Sequence, residues 1–174
     1  MFLGDKAIRE KIEEGTIRID PFMEELLEPV NYDLRLGRYI YKPNGEYKLL
    51  DLEKVDFYLM PGEFILAHTE EFVGTQEFVG LINTTSTAAR NGLDIHGSSS
   101  MVIPGSYNRI TLEITNRSTK KPVKLERFTI IASISFVNVE GRTQKYSGSY
   151  NIESRKDWKP EMMIPKSLKI VRPW

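Results

Sequence analysis

The chain has 174 residues, enough for one domain with a sizeable core. Lys plus Arg and Asp plus Glu number 24 each, so the formal charge is zero; a broadly basic nucleic-acid binder is not indicated, and any anion site must be local. There is no cysteine, which excludes disulfides, thiolate metal sites and cysteine nucleophiles, and two histidines, His68 and His96, argue against a His-rich zinc site.

Residues 5–14 read as a helix, with Asp5 as its cap, Ala7, Ile8 and Ile12 as its apolar face and Gly15 as its stop. This start is charged where a signal peptide would be apolar. No apolar run in the chain is long enough to span a bilayer, so the expectation is a soluble, cytoplasmic protein with no membrane partner. Residues 17–21 read as a short extended piece, and 24–27 as a helical turn. Residues 31–37 alternate and 38–41 continue the alternation, which predicts one strand, with Asp33 and Arg35 as a structural ion pair. Pro43-Asn44-Gly45 predicts a hairpin into residues 47–52. Residues 57–60, a Pro61-Gly62 turn and residues 64–68 read as strand, turn, strand. His68 reads as a packed histidine, since no second ligand stands near it in sequence.

Residues 80–116 organise the rest. Residues 83–92 are a hydroxyl-rich turn into a short helix, with Ser86 as the cap, Ala88 and Ala89 favouring helix, and Gly92 ending it. Hydroxyls, free N–H groups and nearby Arg90 suit an anion such as phosphate, although an ordinary helix cap uses the same residue types. Residues 109–116 alternate as a strand does. Ile110, Leu112 and Ile114 share one face; Arg109, Thr111, Glu113 and Thr115 share the other. Glu113 is either a solvated strand carboxylate or, where such a strand lines a cleft, a general base.

Asn116-Arg117-Ser118 fits a glycosylation sequon, without meaning unless the chain is exported. Residues 117–122 form a basic turn, and 123–125 and 128–136 read as strands. The remainder reads as irregular and is expected to pack on a neighbouring subunit. No repeat or boundary divides residues 1–174, and many short strands with few helices predict a mainly β single domain.

Several elements occur in order at a specific spacing. Residues 86–93 (STAARNGL), His96-Gly97-Ser98-Ser99, Pro104-Gly105 and Ile110-Thr111-Leu112-Glu113 resemble the R-S-S-x-A-R-x-G-L, H-x-T-A, D-P-G and I-x-L-E elements of the dCTP deaminase/dUTPase family, dCTP deaminase branch. Residues 32–37 look like its x-D-x-R-L-G motif, and residues 144–150 resemble its C-terminal K-Y-x-x-Q segment. The resemblance implies a distorted β-barrel, the dUTPase-like β-clip, with a short N-terminal helix and a second short helix in the phosphate-binding segment. It implies a homotrimer with sites between subunits and a nucleotide-closing segment near 144–174. The implied activity is hydrolytic deamination of dCTP to dUTP and ammonia, with Glu113 cycling the proton. Substrate contacts carried over by position are Ser86, Thr87, Arg90, His96, Ser98, Ser99, Lys145 and Tyr146. Mg2+ is expected to arrive on the triphosphate, with no protein metal ligands. Zinc is not expected, because the H-x-E…P-C-x-x-C ligands of the zinc deaminases are missing.

The departures fall on the substrate grip. Thr84 and Thr85 stand for a Gly and an Arg, Met101 for a basic residue, Ile103 for the Asp of D-P-G, and Ser149 for the late Gln. Two other readings therefore compete. One is a dUTP diphosphatase or bifunctional enzyme, against which Ile103 counts. The other is a non-catalytic nucleotide-binding or structural trimer, which Thr85, Met101 and Ile103 favour.

Overall fold

A computed structural model of the chain describes residues 1–44, 46–95, 100–141, 143–148 and 150–166. Helix α1, Asp5–Glu13, buries Ile8. Its N-cap is Gly4, which has no side chain to offer; Asp5 is instead the first helical residue, where its charge complements the free N–H groups of the first turn. Gly15 closes the helix at φ +77°, its N–H donating to the Ile12 carbonyl.

The strands, in order, are β1 (Ile17–Asp20), β2 (Leu27–Glu28), β3 (Asn31–Arg35), β4 (Tyr39–Asn44), β5 (Glu46–Asp51), β6 (Phe57–Leu59) and β7 (Phe64–Thr75). After them come β8 (Phe78–Thr84), helix α2 (Ser86–Arg90), β9 (Leu93–Ile95), β10 (Met101–Val102), β11 (Tyr107–Asn116), β12 (Val123–Leu125) and β13 (Ile130–Asn138). A short 3-10 turn spans Glu24–Leu26. The fold is mainly β, and among the described residues the strands pair into three open sheets rather than one closed ring. One runs β5-β4-β7-β11-β9 with β1 on β7, one runs β10-β8-β13-β3-β2, and β12 pairs with β6. The two large sheets bury Tyr32, Leu34 and Phe136 together with Ile65, Leu112 and Ile114 in one core.

The single strand predicted for residues 31–41 is two strands in different sheets. The break falls at Leu36-Gly37-Arg38, where a Cβ on Gly37 would sit 2.0 Å from Cε1 of His68. Only glycine lets the backbone pass that ring. The Asp33–Arg35 ion pair does not form. Arg35 Nε instead donates to Glu71 Oε1 at 2.6 Å, and the Arg35 backbone N–H donates to Glu71 Oε2 at 2.9 Å. Asp33 and Arg35 lie on the same side of β3, which points each at its own neighbours rather than along the strand. Residue 128 is not in a strand either: Phe128 has φ +69° and ends the turn before β13. The Asn116 amide is buried, donating from Nδ2 to the carbonyls of Leu59 and Lys121 while its Oδ1 accepts from Ser118 N–H. The sequon asparagine is thus a structural clamp.

Beyond β13 the described residues of the C-terminal segment pack on the body of their own chain. Ile152 is buried with Phe72 and Tyr107, and Met163 with Tyr41 and Leu66. Backbone bonds tie this segment to the turn before β11: Tyr146 N–H to Pro104 O (2.8 Å) and Ile152 N–H to Tyr107 O (3.1 Å). Asn151 adds two more, accepting from Tyr107 N–H and donating to Gly105 O.

Candidate active site

β11 alternates as the sequence predicts, with Leu112 and Ile114 buried and Thr111 and Glu113 half-buried. Glu113 stands opposite Leu66 of β7 and opens into a cleft of about 460 Å³. Thr111 and Arg109, from the same face, share that cleft. Tyr146, Met162 and Met163 of the C-terminal segment form another wall; Met101 and Ile103 add an apolar rim where the family pattern has charge. Among the described lining residues Glu113 is the one carboxylate and Arg109 the one cation.

The β7–β11 pairing slips between Arg109 and Thr111. Arg109 faces Phe72 and Thr111 faces His68, so Thr69, Glu70 and Glu71 of β7 loop out. Thr69 holds this bulge by donating from Oγ1 to Glu71 O (2.7 Å) and accepting from Ile110 N–H (2.9 Å). The bulge re-aims the neighbouring side chains. Arg109 Nη1 donates to the freed Thr69 carbonyl at 2.9 Å and lies 3.4 Å from Glu70 Oε2. Glu70 also meets Arg127 at 2.8 Å. Burial pushes the Glu70 carboxyl up, but Arg127 and Arg109 outweigh it and hold the carboxyl below its ordinary range. The Arg109 guanidinium lies 4.5 Å from the Phe72 ring centroid and 5.2 Å from that of Trp158.

His68 is buried beneath this cluster. Its Nε2 accepts from Tyr39 N–H at 3.1 Å, and its Nδ1 lies 2.8 Å from Thr69 O, which assigns the neutral ring with its proton on Nδ1. Burial, helped by Arg109 and Arg127, pulls the His68 pKa down to about 3 against the bond to Thr69. It is a packed structural histidine, as its sequence context implies.

The other sequence-predicted residues scatter. Ser86 and Thr87 open on a different cleft, about 590 Å³, which also holds Glu28 and Asp33. Burial, with Glu28 adding to it, raises the Asp33 pKa. Arg90 is exposed and lines a third cleft with Lys121 and Lys124. The cap of α2 is Thr85, not Ser86. Thr85 Oγ1 accepts from Ala88 N–H at 3.3 Å, and Ser86 is already helical. Thr85, which replaces the family's arginine, thus has a local structural job. Lys145 donates to Gln76 Oε1 at 2.9 Å and does not line the Glu113 cleft; Tyr146 does. His96, Ser98, Ser99 and Ser149 lie outside the described residues. One chain therefore brings Glu113 and Tyr146 together, and leaves Ser86, Thr87 and Arg90 apart from them. Sequence reasoning missed Arg109 as a site residue, although the alternation had put it on the face of Glu113. It missed Met162 and Met163 because nothing local signals where an irregular tail docks.

Among the described residues no three His, Asp or Glu side chains gather as a metal cradle, and no helix is long and apolar enough to cross a membrane. A family model described as dCTP deaminase-like matches residues 2–139. A Streptomyces coelicolor protein named "dCTP deaminase, dUMP-forming" is 36% identical over 141 residues, 72% of this chain and 73% of that one. A Streptomyces griseus protein of the same name is 32% identical over 171 residues, 89% of each chain. Among solved structures, the 2'-deoxycytidine 5'-triphosphate deaminase of Agrobacterium tumefaciens superimposes with a TM-score of 0.66 at 18% identity, covering 78% of this chain and 47% of that one. EIAV dUTPase does so at 0.51 and 15%, covering 79% and 98%. These structures share the fold, and the match over most of the sequence shows that the chain belongs to the dCTP deaminase-like family.

Proposed function

We propose that this chain deaminates dCTP, with Glu113 as the group that moves the proton. The observation that carries the reading is a half-buried glutamate of an I-x-L-E segment facing a cleft walled by the C-terminal segment. In the reaction a water loses a proton to the carboxylate as its oxygen bonds to C4 of the cytosine, and the C4=N3 π pair moves onto N3, which takes that proton. The carboxylate then carries the remaining hydroxyl proton to the exocyclic amine, the C4–N bond breaks as the C4=O bond forms, and ammonia leaves with the uracil nucleotide as product. Arg109, held by Thr69 and Glu70, faces the same cleft and favours an anionic ligand there. Magnesium enters as part of the substrate, on the triphosphate.

The proposal also takes the site to be shared between copies of the chain in a homotrimer. Ser86, Thr87 and Arg90 line clefts separate from Glu113, and the first two share theirs with Glu28 and Asp33, which repel phosphate. Cations brought by a neighbouring copy would offset that repulsion.

Ammonia release from dCTP, followed with the wild type and Glu113→Gln, tests the reading. The substitution should abolish release while leaving dCTP affinity within a few-fold; retained turnover would remove Glu113 as the base. Mixing Glu113→Gln with Arg90→Ala chains tests the shared site: at a dCTP concentration too low to saturate Arg90→Ala, mixed assemblies should regain activity that neither variant shows alone. A second reading, deamination followed by loss of diphosphate to give dUMP, is favoured by the names of the relatives. Against it, Glu113 is the one carboxylate among the described residues of the cleft, and Ile103 stands where a second would be. Diphosphate released in step with ammonia decides for the second reading.

A further inference from the structure

A second cleft, of about 620 Å³, opens on the other side of Arg109, which walls both. It is within the range of small-ligand sites, roughly 300–1,000 Å³. Among its described lining residues four cations, Arg18, Arg109, Arg155 and Lys156, face two carboxylates, Asp20 and Glu153. That is a local excess of positive charge on a chain with no net charge. One carboxylate is already engaged: Arg155 Nη1 donates to both oxygens of Asp20 at 2.9 Å.

Of the remaining cations, Arg109 is already shared with Glu70 at 3.4 Å, whereas Arg18 is held without being neutralised. The Arg18 guanidinium lies 3.6 Å from the Tyr107 ring centroid and meets no carboxylate among the described residues. Arg109 is braced against Phe72 and Trp158; its Nη1 is taken by Thr69 and Glu70, and its buried Nε has no acceptor among the described residues. Stacking fixes the Arg18 guanidinium without using its donors, so little ordering is left to lose when an anion binds. Lys156 adds a compact ammonium at the rim, and its backbone N–H is capped by Ser154 Oγ in the turn that presents it.

We propose that this cleft is a binding site for a small polyanion of the phosphate class, of which inorganic diphosphate is the simplest. A singly charged ligand would leave part of the positive excess uncompensated. A nucleic-acid strand would need an extended basic stripe, whereas these cations converge on one concave site lined by Tyr107, Phe72 and Trp158. The site shares Arg109 with the Glu113 cleft, but Arg18, Arg155 and Lys156 line this cleft and not that one, so variants of Arg18 and Lys156 test it apart from the deaminase reading.

Calorimetric titration of the full chain with sodium diphosphate, at low ionic strength and again in about 0.5 M salt, where the Debye length is roughly 4 Å, reads the site directly. Saturable binding with one equivalent per chain is expected, weakened at least tenfold by salt. The double variant Arg18→Ala/Lys156→Ala should weaken it tenfold or more, while Glu113→Gln and Arg90→Ala leave it unchanged. If the double variant does not fold, Lys156→Ala alone, at an exposed side chain, should weaken it about threefold, a step that removal of one charge–charge contact predicts. Absence of saturable binding, affinity insensitive to Arg18 and Lys156, or inorganic monophosphate binding as tightly as diphosphate would each overturn the proposal.

Discussion

Stability should fall on mild acidification because of one side chain, His68. It is about 1% exposed, both ring nitrogens are engaged by neighbours, and its folded-state pKa is about 3 against an ordinary 6.5. The sign follows from proton counts. Below pH 6.5 the unfolded chain takes up a proton at this ring and the folded chain does not, so protons favour unfolding. The stabilisation is fully present above pH 6.5 and is lost progressively as pH falls towards 3, at about 1.4 kcal/mol per pH unit. From pH 7 to pH 5 the loss is about 2 kcal/mol, or a fall in Tm of roughly 4–8 °C for a chain of this size. His68→Gln keeps a carbonyl for the Tyr39 N–H but does not titrate. It should cost stability at pH 7 and then lose less on acidification than the wild type. Urea unfolding of both proteins at pH 5, 6 and 7 measures the difference in slope. Parallel curves for the two would refute a neutral, buried His68.

Three further outcomes follow from the same geometry. Arg35→Ala leaves the fully buried Glu71 carboxylate without its partner and should cost about 3–5 kcal/mol in urea unfolding; a loss below about 1 kcal/mol would mean that the pair is dispensable. Gly37→Ala drives a methyl into the His68 ring, which Tyr39 and Thr69 hold in place. It should destabilise by at least the 1–3 kcal/mol typical of overpacking, and a neutral change would show that the ring gives way. On the proposed function, Arg90→Ala should weaken dCTP binding most at low salt, and equal affinity in both proteins across salt concentrations would take Arg90 out of the phosphate site.

Local chemistry made most of the elements legible. Gly15 stops a helix, Pro61-Gly62 turns a chain, and the alternation over residues 109–116 makes a strand with Glu113 opposite Leu112 and Ile114 in facing, whatever surrounds it. These signals depend on backbone sterics and side-chain period, which act over a few residues. The family motifs were legible for the same reason, as short strings at fixed spacing. Partners distant in sequence were not. Arg35 chose Glu71 over Asp33, and Thr85 took the cap expected of Ser86, because each choice depends on where other strands pass. The same holds for the bulge at Thr69–Glu71, which exists only in the pairing of β7 with β11 and which aims Arg109 between two clefts. By itself the sequence determined a mainly β chain of this family and the face on which Glu113 stands. Tertiary structure decided which charges meet, where the C-terminal segment docks, and that Ser86 and Arg90 are kept from Glu113 within one chain. Such contacts are set by packing and desolvation between segments tens of residues apart, for which a linear pattern carries no signal.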